Sequence, residues 1–107
     1  CRTIPVMQGT ETLLCRTDKI YYLESVDKHT YVYTKDCCYE TRYRLYELED
    51  MLHIQCLRCS KAMIVNIRKI KSVKAELNGR MIAELLNGEQ IIISRAYVKE
   101  LKRKLGI

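Results

Sequence analysis

The sequence predicts a mainly β, antiparallel domain with one or two short helices. Three observations carry this prediction. Asn78-Gly79 and Asn87-Gly88 stand one strand apart near the C-terminus, and Asn-Gly is a strong hairpin signal. Ile, Val, Tyr and Thr recur through the N-terminal half, which suits half-buried strands. Apolar residues at helical spacing are confined to two short stretches.

The elements follow in order. Residues 1–11 are a linker or a first strand, with Thr3–Gln8 extended and ending near Gly9. Glu11–Cys15 forms a second strand. Lys19–Ser25 and Thr30–Thr34 form two more, separated by the polar stretch Val26-Asp27-Lys28-His29. Tyr31 and Tyr33 face one way and Val32 the other. Cys37–Arg42 is a short strand after the turn Lys35-Asp36. In Tyr43–Leu52, Leu45, Leu48 and Leu52 make a helical stripe that packs on the sheet. Ile54–Cys59 returns to β, and Ala62–Ile67 is a buried strand or turn. Val73–Leu77, Arg80–Leu86 and Gln90–Ser94 form a meander joined by the Asn-Gly pairs. Its middle strand is apolar on both sides, which predicts partial cover on both faces. Ser94–Leu105 is a helix with Ser94 as N-cap, a Val98/Leu101/Leu105 stripe, and Gly106 as its stop.

The 107 residues suffice for one domain spanning 1–107, and 48% hydrophobic with 30% charged residues is globular composition. No apolar run approaches the roughly 20 residues of a membrane span, and no secretory signal is visible. The expectation is a cytoplasmic domain without membrane contact. The chain opens on Cys1 and not Met, which reads as a piece of a longer protein. A net charge of +6 favours polyanionic partners: DNA, RNA or anionic lipid.

Three chemistries compete. A catalytic triad has only His29 and His53 to serve as a histidine base, neither beside a diagnostic nucleophile, and 4 glycines build no phosphate loop. An enzyme is not expected. Among the 6 cysteines, Cys56 and Cys59 have the spacing of a zinc half-site. On a strand, however, they lie on opposite faces, and Cys37-Cys38 is no normal second half-site. The cysteines therefore read as reduced, small core hydrophobes. Basic residues cluster from Arg58 to Lys74 and from Arg95 to Lys104, near loops and strand ends from which long side chains reach phosphates or base edges. By spacing alone these clusters are equally a solvated face.

The order of segments narrows the choice. Ile20-Tyr21-Tyr22-Leu23-Glu24-Ser25 precedes a polar turn with His29 and a Tyr/Val strand. The helix with Leu45-Tyr46-Glu47-Leu48-Glu49 follows, then Leu57-Arg58-Cys59-Ser60-Lys61-Ala62-Met63-Ile64-Val65-Asn66. Ile70-Lys71-Ser72-Val73 comes next, and the run closes on Leu86-Asn87-Gly88-Glu89-Gln90-Ile91-Ile92-Ile93-Ser94-Arg95-Ala96-Tyr97. From about Thr12 onward this resembles the LytTR family, the effector domain of LytR/AgrA/AlgR-like response regulators.

The resemblance implies an elongated, mostly antiparallel fold whose loops enter successive major grooves of double-stranded DNA. It implies sequence-specific binding as the output of a bacterial transcription regulator, on direct repeats that hold two copies, behind an upstream receiver domain, and with no cofactor. His29 and Arg95 resemble the family's groove-entering histidine and arginine. Lys61 stands where related domains often place Asn, and Ala62 where Ser or Thr is usual, so base preference is expected to differ. Lys28, Arg58, Ser60, Tyr97 and Lys99 complete the expected contact set. Each has a plainer role open to it: His29 as an exposed turn residue, Arg58 paired with Glu49, Tyr97 packed under the loop, Lys99 as general positive field. Asn66 is expected to bond loop backbone, and His53, which follows the helix, to be neutral or to cap it. The alternative function is a protein–protein interaction module without sequence-specific DNA binding.

Overall fold

The computed structural model describes residues 2–107; Cys1 lies outside the described residues. They form ten strands and two α-helices. The strands are β1 (Thr3–Gln8), β2 (Glu11–Arg16), β3 (Tyr22–Val26), β4 (His29–Tyr33), β5 (Cys38–Thr41), β6 (Cys56–Ser60), β7 (Met63–Asn66), β8 (Ile70–Ala75), β9 (Met81–Leu85) and β10 (Gln90–Ile93). Helix α1 (Leu45–Met51) falls between β5 and β6, and α2 (Arg95–Leu105) ends the fold. A seven-stranded antiparallel sheet runs β2-β1-β5-β4-β3-β7-β6, and a three-stranded one runs β10-β9-β8. The molecule is elongated, 44 × 25 × 22 Å.

Alternation along the strands builds two cores. Leu23, Val32, Ile64 and Cys56 join Ile4, Val6 and Ile20 beneath Leu45, Leu48 and Leu52, so the predicted stripe packs on the sheet. On the other face, Tyr21, Cys59 and Val65 meet Met81, Ala83, Leu85, Ile91, Ile93 and Leu101, with Val98 and Leu105 packed alongside. The stretch β3-β7-β6 is therefore covered on both sides. Cys56 and Cys59 face separate cores, as strand alternation required. Burial pushes both thiols up to about 12, so neither is a ready thiolate.

The structure corrects several boundaries. Thr17–Lys19 is a 3-10 turn, and β3 starts at Tyr22 and not Lys19. Tyr21 and Tyr22 both pack on the second core while Ile20 and Leu23 lie in the first, which regular alternation from Lys19 would not allow. Strand β8 begins at Ile70, where a bulge between Ile70 and Ser72 lets Ile70 and Val73 both pack on the second core. The Asn-Gly pairs belong to three-residue loops. Glu76 N donates to Arg80 O at 2.9 Å and Leu85 N to Glu89 O at 2.8 Å, and within these two loops only Gly79 and Gly88 have positive φ, +79° and +90°. A type I turn closed by a left-handed glycine is the three-residue hairpin solution.

The outer face of the three-stranded sheet is partly open. Leu86 and Ile92 are 56% and 52% exposed, while Ile82 and Glu84 on the outward side of the middle strand are partly buried, in line with the partial cover expected of that strand. Two-residue turns lie elsewhere, among them Asp27-Lys28, where both residues have positive φ, +50° and +69°, between the paired Val26 and His29.

Candidate nucleic-acid interface

Three hydrogen-bonded connections bring the cationic positions into one row. Strand β3 pairs with both β4 and β7, and Ser25 N donates to Ala62 O at 2.8 Å. The Asp27-Lys28 turn thus lies beside the Lys61-Ala62 turn that joins β6 to β7. Four adjacent strands put the two turn centres about 10 Å apart, at roughly 4.8 Å per strand. Beyond β6, Ser94 N donates to Cys59 O at 2.8 Å, two residues from Lys61 and one from Arg95. The row therefore runs Lys28/His29, Lys61, Arg95.

His29 opens β4 and does not lie in the turn itself. Its Nδ1 is 2.7 Å from Glu40 Oε2 on β5. Against a carboxylate Nδ1 acts as donor, which leaves Nε2 as the nitrogen free to meet a base or phosphate. Lys28 is exposed.

The Lys61 turn is tied from three sides. Arg58 Nη1 donates to Lys61 O at 2.6 Å, and its Nη2 to Glu49 Oε1 of α1 at 3.0 Å. Only 17% of the Arg58 side chain is exposed, and its Nε is buried without a hydrogen-bond partner among the described residues. Ser60 Oγ accepts from Ala62 N at 3.3 Å, a local bond of the kind that fixes tight turns. The third tie is the Ser25 bond above. Arg58 and Ser60 thus shape the turn, while the Lys61 side chain is left outward and exposed.

Arg95 is the first residue of α2 and is exposed. Ser94 holds the N-cap position with extended backbone, but its side chain makes no capping bond. Arg95 shares a shallow cleft with Asn78, Arg80 and Ser94. Asn78 and Arg80 were missed by the sequence reading, since no local pattern brings the β8–β9 loop to the start of α2. Tyr97 is half-buried against the second core. Lys99 is exposed on α2.

The other candidates have structural duties. Asn66 is buried; its Nδ2 donates to Ile20 O at 2.7 Å and its Oδ1 accepts from Arg68 N at 3.0 Å, as expected of it. His53 Nδ1 meets Asp50 O at 2.9 Å, in the capping role read for it. Arg103 pairs with Glu100, one turn earlier on α2.

The antiparallel fold and its row of basic turns define a class, that of DNA-binding domains. The LytTr DNA-binding domain family matches residues 10–106, and this chain belongs to that family. A solved LytTr DNA-binding domain from Bacillus cereus superposes with a TM-score of 0.93 at 26% identity, covering 100% of this chain and 99% of its own. The sensory transduction protein LytT of Enterococcus faecalis is 26% identical over 105 residues, 97% of this chain and 43% of that protein. An HTH-type transcriptional regulator of Staphylococcus aureus strain RF122 is 33% identical over 82 residues, 77% of this chain and 56% of its own length. This chain therefore spans about half the length of these relatives. No described helix is long and apolar enough to cross a membrane.

Proposed function

We propose that this domain reads double-stranded DNA sequence-specifically, as the output module of a bacterial transcription regulator. The supporting observation is the row of turns: Ser25–Ala62 and Ser94–Cys59 hydrogen bonds align Lys28/His29, Lys61 and Arg95 along one edge. Arg95 bonds bidentately to guanine O6 and N7, and Lys61 meets guanine or phosphate. His29 offers Nε2 to a base edge or phosphate. Lys28 and Lys99 neutralise phosphates and supply sequence-independent affinity. Tyr97 braces the start of α2, and its hydroxyl is available to phosphate. Arg58 and Ser60 act on DNA indirectly, by holding the Lys61 turn. Two copies bind direct repeats, and a receiver domain controls them from elsewhere in the protein. The work needs no cofactor.

The test is selection from a random duplex pool with wild type and Arg95→Ala side by side. Wild type is expected to enrich a short motif, repeated at about one helical turn. Arg95→Ala is expected to lose roughly 5- to 150-fold in discrimination at one position, the worth of a bidentate base contact. If no motif emerges and binding only fades with salt, the charge is non-specific. The exposed Leu86 and Ile92 face would then favour a protein-interaction module.

A further inference from the structure

Leu77-Asn78-Gly79 and Leu86-Asn87-Gly88 are the same tripeptide in the same kind of hairpin loop. Both are closed by an amide-to-carbonyl bond across the loop, 2.9 Å in the first and 2.8 Å in the second, and by a second bond from the glycine amide, 3.4 Å and 3.0 Å. Both place their glycine at positive φ. They differ in what the glycine faces. A Cβ on Gly88 would meet nothing within 4 Å. A Cβ on Gly79 would stand 2.9 Å from Cδ of Arg95 and 3.2 Å from its Cγ. The aliphatic stem of Arg95 thus lies in the space that a side chain at Gly79 would fill.

We infer that Gly79 is a positioning residue for Arg95: the bare Cα of this loop seats the arginine stem and sets the direction in which the guanidinium reaches. This rests on the reading of Arg95 as the residue that enters a groove, and deepens it. An arginine standing free in solvent has many rotamers to surrender when it grips a base. Resting the stem on the loop removes part of that freedom before binding. Bidentate recognition needs the guanidinium plane aligned with the base edge, so a stem displaced at Cγ and Cδ loses alignment before it loses charge. The left-handed φ alone does not explain glycine in both loops, since Asn tolerates that region. At Gly79 there is a second demand, the absence of Cβ.

The pair of loops supplies its own control. Gly79→Ala and Gly88→Ala both put a Cβ into left-handed backbone and share that strain; only the first reaches Arg95. Gly79→Asn keeps the Cβ but restores a residue that accepts positive φ, which separates crowding from strain. Two measurements are made on each variant. In the free protein, the Arg95 Nε–Hε resonance is expected to shift in both Gly79 variants and stay in place in Gly88→Ala. On DNA, affinity for the selected motif over a scrambled duplex is expected to fall by about fivefold or more in both Gly79 variants, with Gly88→Ala matching wild type. An unmoved Arg95 resonance in Gly79→Asn overturns the seat. So does unchanged discrimination in that variant when Arg95→Ala loses it. A shifted resonance together with an Arg95→Ala protein that still discriminates leaves the seat standing, and it is then the DNA-reading role of Arg95 that has failed.

Discussion

Two neighbouring two-residue turns present cations on this domain, and they are built in opposite ways. The Asp27-Lys28 turn is strained and untied. Both residues have positive φ and neither is glycine; Asp27 is of a type that tolerates this backbone, whereas Lys28 is disfavoured there by its Cβ. The Lys61-Ala62 turn shows no positive φ and is tied by Arg58, Ser60 and Ser25. A hairpin whose strand twist matches a two-residue turn of mirror-image type needs only those two dihedrals. The Lys61 turn follows a bulge between Arg58 and Ser60, where regular pairing is broken and side chains must replace it. One turn keeps its shape by backbone geometry, the other by anchorage to a helix.

That contrast can be broken at its anchored side with the largest effect. Arg58→Ala removes the donor to the Lys61 carbonyl and strands Glu49. Stability measured by urea unfolding should fall by about 2 kcal/mol, as for loss of partly buried charged hydrogen bonds. The slope of log affinity against log salt should not change, because Arg58 is committed within the protein; a slope lower by about one would make it a phosphate contact. On the strained side the sign reverses. Lys28→Gly should raise stability by about 0.5 kcal/mol, the relief of left-handed strain less glycine's larger chain entropy. Thermal unfolding of Lys28→Gly and Lys28→Ala separates the two terms, and a Tm for the glycine variant below that of alanine would refute the strain. The smallest effect belongs to Ser60→Ala, about 0.5 kcal/mol or less at an exposed turn. Its sharper signature is faster hydrogen exchange at the Ala62 amide, with the Asp27-Lys28 turn unaltered.

Local chemistry made much of this fold legible. The Leu45/Leu48/Leu52 stripe, the alternation of Tyr31, Val32 and Tyr33, and the opposite facing of Cys56 and Cys59 all follow from period 3.6 or period 2. Asn66 and His53 took the backbone roles that their residue types favour. What stayed hidden was non-local. The order β2-β1-β5-β4-β3-β7-β6 puts β5 between β1 and β4, and no periodicity encodes that. The loop length at each Asn-Gly was misread because the dipeptide fits both a two-residue turn and the end of a three-residue loop. At the candidate interface, the resemblance named Lys61 and Arg95. The partners that shape them, Glu49 through Arg58 and Gly79 beneath Arg95, are distant in sequence and appear only once the chain is folded.

The bulge in β6 has a consequence for how this domain can change length. Strands β3, β7 and β6 feed alternate residues into the two cores, so inserting or deleting one residue within them would exchange the contents of both cores at once. The extra residue already absorbed near Cys59 shows the permitted alternative: an insertion accommodated by a local kink next to a turn. Length variation in descendants of this sequence should therefore collect at loop tips and at that kink. The same places aim the basic side chains, so a change in length there would retune which duplex is gripped and leave the interior intact.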